Sequence, residues 1–308
     1  MTDRNQVIAV IEPEMHPQTV AERAAWLARA AGHRLHLLLC DPDTGPLHDR
    51  WYVSNEARDI AASIAAAQQE LIEEIAAGVR SDELEVTTAV LDERPIGEAI
   101  IHLANEASPA MLVKGTAFHS AADRAFFVDS DWQLVRSAPC PLYLVKPEEM
   151  PENPIVVAAV DPTHAHDKPA ALDSIIVSAA KGFAQKAGGE VHLFHSYQRL
   201  VGVGSEVSRT FKPIKVPLDE VEERMRQSHR DALDALASDF GIDDDAVHQL
   251  PGSTRDLLPM FVRTHKVGLV VMGALARWSL KRAVIGSTAE RVLDSLPCDV
   301  LIVRPENN

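Results

Sequence analysis

The chain has 308 residues, 46% of them hydrophobic and 24% charged, which is ordinary globular composition and argues against a disordered chain, a fibre or a coiled coil. At roughly 100–200 residues per domain, that length predicts two domains. With 45 acids against 30 bases the formal charge is −15, a surface that repels phosphate backbones, so no nucleic-acid partner is expected.

Taken in chain order, Met1–Gln6 lacks the basic stretch and long apolar region of a signal peptide. Val7–Ile11 is a short continuous apolar run, the pattern of a central parallel strand buried on both faces. A second strand contains His36 and is followed by an insertion, Pro46–Asn55, that carries Trp51 and Tyr52. Ile60, Ile64, Ala67, Leu71 and Ile75 keep helical spacing. Leu84–Val90, Met111–Lys114 and Leu142–Lys146 read as further strands. The Pro-rich stretch Lys146–Pro154 reads as a linker, after which the pattern begins again with a strand at Ile155–Val160. Tyr197–Val216 is a second insertion, in which Gly202 and Gly204 lack the rest of a dinucleotide fingerprint. Leu218, Val221, Met225, Leu233, Leu236 and Phe240 form a helical stripe with Pro217 at its first turn and Gly241 at its stop. The longest nearly apolar run, Val267–Ala276, is far short of the roughly 20 residues of a membrane span, so no membrane association is expected. Three scattered cysteines, Cys40, Cys140 and Cys298, do not make a disulfide framework and fit a reducing, cytoplasmic setting.

The two halves are copies of one unit. Met111–Gly115 and Leu269–Gly273, and likewise Pro139–Pro147 and Pro297–Pro305, stand 158 residues apart with the same pattern. Strands alternating with helices imply an open parallel sheet with helices on both faces and a ligand crevice at the C-terminal strand ends. The expected architecture is therefore α/β, two tandem doubly wound five-stranded sheets spanning 1–148 and 153–306.

The second copy has a glycine loop: Met272-Gly273-Ala-Leu-Ala276, nine residues, then Gly286-Ser287-Thr288. Backbone amides at such a loop and helix N-terminus attract a phosphate. Arg277, Lys281 and Arg282 add positive charge. Read structurally, Gly286 makes a turn and Ser287-x-x-Glu290 is a capping box. The first copy separates the two readings, because Val128, Asp129 and Ser130 stand where the second has Gly286, Ser287 and Thr288. Asp129 can cap a helix as Ser287 can, but its carboxylate repels an anion. Lys281 becomes Asp123, and Arg277 becomes His119. Capping survives in both copies; anion binding survives only in the second. The charge divides the same way: residues 1–150 hold 24 acids and 12 bases, residues 151–308 hold 21 and 18.

This tandem pattern resembles the universal stress protein superfamily. The segment Asp131-Trp132-Gln-Leu134-Val-Arg136 is similar to one carried by its tandem E-type members. The resemblance implies a Rossmann-like fold of the adenine nucleotide alpha hydrolase type. It also implies two domains packed as an internal pseudo-dimer through their last strands, with a homodimer of such chains as the next level. The nucleotide-binding branch has a Gly-x-x-Gly-nine-residues-Gly-Ser/Thr motif, to which Gly273, Ala276, Gly286 and Ser287 correspond, with Ala276 departing from the glycine. The implied ligand is ATP or AMP, with Mg²⁺ in the case of ATP, or another small phosphorylated molecule. The positions implied to hold it are Ala159, Asp161, Met272, Gly273, Ala276, Gly286, Ser287 and Thr288. Asp161 stands at the acid the branch uses near the adenosine, and Glu12 is its counterpart in the first copy.

Other features compete with this reading. His164 and His166, beside Asp161 and Asp167, are metal-ligand types in one loop, but no distant partner at a recognised spacing completes a site. His36 and His192 occupy the same strand position in the two copies, which suggests packing. Cys140 and Cys298 open the last strands and are expected to be buried, inert thiols. No nucleophile–base motif stands out, so a non-enzymatic stress-response protein is expected; slow ATP hydrolysis ranks last, for want of a nameable base. The alternative is a module for an apolar ligand or a partner protein, built around Trp51 or Val201.

Overall fold

The computed structural model describes residues 5–41, 55–91, 95–116, 129–163, 171–199, 218–274, 292–293 and 295–305. The chain divides into two compact units, Met1–Glu149 and Met150–Asn308.

In the first unit, β1 (Gln6–Ile11), α1 (Pro17–Ala31), β2 (Arg34–Leu39), α2 (Asn55–Val79), β3 (Val86–Val90), α3 (Ile96–Ala107), β4 (Met111–Gly115), α4 (Asp129–Ser137) and β5 (Leu142–Val145) follow in order. Their strands pair in the order β3-β2-β1-β4-β5, all parallel. The second unit has β6 (Ile155–Ala159), α5 (Ala171–Ala187), β7 (Glu190–Tyr197), α6 (Leu218–Phe240), β8 (Val247–Pro251), α7 (Thr254–His265), β9 (Leu269–Gly273) and β10 (Asp299–Val303). Its order, β8-β7-β6-β9-β10, is the same topology, again all parallel. The strand order reverses between β1 and β4 and between β6 and β9. A crevice opens at these switch points because the connections leave the sheet in opposite directions.

Burial explains the strand sequences. β1, β5 and β10 are apolar almost throughout and lie buried, as strands covered on both faces must be. β3 and β8, each at one end of its unit's strand order, are the least buried and carry Thr87, Thr88, His248 and Gln249. α1 packs against α2 beside one face of the first sheet, while α3 packs against α4. Pro17 occupies the first turn of α1, where no backbone donor is needed. Gly32 and Gly241 end α1 and α6 with φ of 67° and 60°, a left-handed conformation that costs glycine little. Gly241 is therefore the stop the sequence predicts.

α2 corrects one expectation. Its helix exists, but the buried face runs through Gln68, Ile72, Ile75, Ala76 and Val79. Ile60, expected on that face, is 54% exposed. The first half of α2 therefore contributes little core, which periodicity alone cannot reveal. All three cysteines are buried and none forms a disulfide, and Cys140 and Cys298 are buried as expected. Among the described residues no helix is long and apolar enough to cross a membrane.

Candidate functional site

At the second unit's switch point, β6 and β9 run side by side with Ala159 paired to Met272. Just past β6, Asp161 is held at both ends. Its backbone N–H donates to Asp173 Oδ1 of α5 at 3.1 Å, and Thr163 Oγ1 donates to its Oδ1 at 3.0 Å. Asp173 is itself buried. Gly273 ends β9 where α5 comes close: a Cβ there would lie 2.7 Å from Leu172 Cδ2. Close helix–strand packing thus already accounts for this glycine. Ala159, Asp161, Met272 and Gly273 are thereby brought to one strand-end edge. Ala276, Gly286, Ser287 and Thr288 lie outside the described residues, as do His164, His166, Trp51, Tyr52 and the insertion glycines 202 and 204. Among the described residues no group of three His, Cys, Asp or Glu side chains is placed to hold a metal ion.

The first unit's switch point is built differently. Lys114, on β4, pairs with Val10 in the strand register and is fully buried. Its Nζ lies 2.5 Å from Glu12 Oε2, just past β1, and 2.6 Å from Asp131 Oδ1 in the first turn of α4. Burial opposes the charged ammonium, but Asp131 and Glu12 outweigh it and hold the Lys114 pKa above its ordinary value. Burial also pushes the Glu12 carboxyl up, against the pull of Lys114. An internal ion triad therefore stands at this switch point. The counterparts of its members in the second unit are Asp161, Met272 and Ala289, which cannot form it. Lys114 was legible in principle, because a lysine inside an apolar strand is anomalous. Only the fold brings Asp131 to it.

A second group that sequence reasoning missed borders Asp161. His195 Nδ1 lies 3.1 Å from the Val160 carbonyl oxygen, and His195 Nε2 lies 2.8 Å from His229 Nδ1 of α6. The His229 ring stacks on both His195 and Tyr197, with centroids 5.0 and 5.1 Å away. Burial lowers the pKa of both histidines and so favours the neutral rings, offset in part at His195 by the Val160 carbonyl and then Asp161, and at His229 by Asp161. His195 and Tyr197 share one face of β7 by strand alternation. His229 comes from 34 residues further on, a separation no motif spans.

His36 and His192 behave as packing residues. His36 Nδ1 lies 2.9 Å from Thr87 Oγ1 of the neighbouring strand, and His192 Nδ1 lies 2.9 Å from His248 Nε2. His248 also makes tilted ring contacts with Phe261 and His265 of α7, with centroids 4.7 and 5.8 Å away.

Comparison with known proteins agrees with this architecture. The family model described as "Universal stress protein family" matches residues 4–146 and again 153–304. A "Universal stress protein E" of Photorhabdus laumondii is 25% identical over 315 residues, covering 99% of this chain and 96% of that protein. The Escherichia coli K12 protein of the same name is 24% identical over 314 residues, covering 97% and 94%. Among solved structures, a Pseudomonas aeruginosa UCBPP-PA14 protein assigned to the universal stress proteins superposes with TM-score 0.70 at 25% identity, covering 99% of this chain and 95% of that one. A universal stress protein of Archaeoglobus fulgidus, at 14% identity, superposes with TM-score 0.63 over 97% and 98%. With both halves matched and the strand order repeated, the chain belongs to the universal stress protein family as a tandem two-domain, E-type member.

Proposed function

We propose that this chain is a cytoplasmic, non-enzymatic stress-response protein whose second unit binds one adenine nucleotide, ATP or AMP, or a similar small phosphorylated ligand. The site is the edge formed by Ala159, Asp161, Met272 and Gly273 with the loop residues Ala276, Gly286, Ser287 and Thr288. ATP would bring Mg²⁺ with it. The observation that carries the reading is the contrast between the two switch points. The first is filled by Glu12, Lys114 and Asp131; the second has Met272 in place of the lysine. A buried ammonium paired to two carboxylates leaves neither room nor field for a second anion. The second unit keeps the acid at the strand end and a glycine loop whose amides suit a phosphate.

Native mass spectrometry of gently purified full chain, followed by calorimetry with ATP and AMP, tests this. One nucleotide per chain is expected. Binding no tighter than about millimolar, a free energy near 4 kcal/mol, would sink the reading. Gly286→Asp, which puts a carboxylate into the loop one residue before the position that Asp129 holds in the first unit, should abolish binding; unchanged affinity would place the site elsewhere.

A further inference from the structure

We propose that His229 is the hydrogen-bond acceptor by which the second unit recognises a hydroxyl or amino group of its ligand, held in that role through His195 by the Val160 carbonyl. This rests on the nucleotide reading above and adds a residue to it.

The direction of the chain follows from what each atom can do. A backbone carbonyl only accepts, so His195 Nδ1, 3.1 Å from Val160 O, carries the proton. In a neutral imidazole the other nitrogen is then a bare acceptor. His229 Nδ1, 2.8 Å from it, must therefore be the donor. That leaves His229 Nε2 with a lone pair and with no partner among the described residues. The opposite polarity needs a charged His195 donating at both nitrogens, which its burial disfavours. The hydrogen bond to His195 and the stack on Tyr197, with planes 24° apart, hold the His229 ring in this orientation.

The surroundings make this acceptor a recognition group. Val160, whose carbonyl anchors His195, immediately precedes Asp161, so the histidine pair stands beside the same strand-end edge. An acceptor nitrogen beside a carboxylate suits a ligand that brings its own donors. A nucleoside has two sources, the ribose hydroxyls and an exocyclic amine. The first unit has no counterpart: the equivalents of His195 and Tyr197, set by the alignment of His36 with His192, are Leu39 and Asp41.

The test uses the full chain with ¹⁵N-labelled histidine at pH 7.5. Long-range imidazole correlations should show His195 and His229 both protonated at Nδ1, and the His229 Nε2 resonance should move when AMP is added. A His229 protonated at Nε2, or a resonance unmoved by saturating AMP, overturns the proposal. His229→Phe, which keeps an aromatic ring against Tyr197, should weaken AMP about tenfold, the usual scale of one lost hydrogen bond in a partly buried site. Equal affinity overturns the proposal. The same loss with 2′-deoxy-AMP identifies the sugar hydroxyl as the donor, and with IMP the amine; full affinity for both overturns it. If the unaltered protein binds none of the three, the nucleotide reading falls and the ligand role of His229 with it. A wrong tautomer overturns only the latter.

Discussion

Lys114 is the residue whose environment differs most from its repeat partner. Replacing it by methionine, the second unit's residue, leaves Glu12 and Asp131 facing one another with no counter-charge. Breaking a buried pair in this way costs about 3–5 kcal/mol, far more than the pair itself contributes. Lys114→Met should therefore lower the denaturant midpoint of the first unit sharply. Adding Glu12→Gln and Asp131→Ala should recover much of the loss, which a merely steric effect would not allow. The pH dependence gives a second check. In Lys114→Met the buried Glu12 carboxyl loses the one group that lowers its pKa, so the folded state binds a proton more readily than the unfolded one. Stability of the variant should rise as pH falls from 7 toward 5, and a deficit that stays constant over that range would contradict this account.

His248 behaves in the opposite sense. Burial, then His192 and His265, lower its pKa to about 4, with Asp245 pulling weakly the other way. A group depressed in the folded state contributes stability above its unfolded pKa near 6.5 and loses it as pH falls toward the folded value. The second unit should thus weaken between about pH 6.5 and 4, by on the order of 1 kcal/mol once the ring's partial exposure is allowed for. His248→Phe should flatten that limb of a melting-temperature profile. An unchanged limb would move the effect to another group.

Elements show how far pattern reaches. The central strands were legible because burial on both faces demands continuous apolar runs, and β1, β4, β5 and β6 lie within two residues of the expected spans. The face of α2 was not, because Ile60 keeps the helical spacing yet is exposed, while the polar Gln68 lies on the buried face. The glycine that ends β9 reads from sequence as part of a ligand loop, and structure gives it, like its counterpart at the end of β4, a packing role. At Gly115 a Cβ would meet the Met15 carbonyl oxygen at 2.6 Å and Val20 Cγ2 at 2.9 Å. At Gly273 the three nearest atoms belong to the Leu172 side chain, Cδ2 at 2.7 Å, Cγ at 2.9 Å and Cδ1 at 3.0 Å. A backbone carbonyl yields less than a side-chain tip, so Gly115→Ala should cost more than Gly273→Ala, with roughly 1–3 kcal/mol as the scale for overpacking. Chemical denaturation of the two variants compares them directly. The reverse order would mean that the Leu172 contact is the more rigid of the two.

At the scale of the whole chain, two copies of one fold have diverged at one place in the sheet. Repeat arithmetic located that divergence in the loops, through Asp129 against Ser287. It could not see that a strand lysine and a helix aspartate had closed the first crevice, since Lys114 and Asp131 meet only after folding. This division predicts an asymmetric response to ligand. A nucleotide that binds only the folded state stabilises by about 2.7 kcal/mol at a hundred times its Kd. If only the second unit has a site, hydrogen exchange with AMP present should slow in β6 and β9 and at the backbone N–H of Asp161. β1 and β4, already closed around Lys114, should exchange as before. Equal protection of both switch points would mean that the ammonium can be displaced and that the first unit also binds. Protection in neither, under conditions where calorimetry registers binding, would put the ligand away from the strand ends altogether. In the Lys114→Met, Glu12→Gln, Asp131→Ala variant the same measurement separates a plug from a lost site. New protection in β1 and β4 means that the triad alone kept ligand out. Continued silence means that Val128 and the acids of the first loop suffice to exclude it.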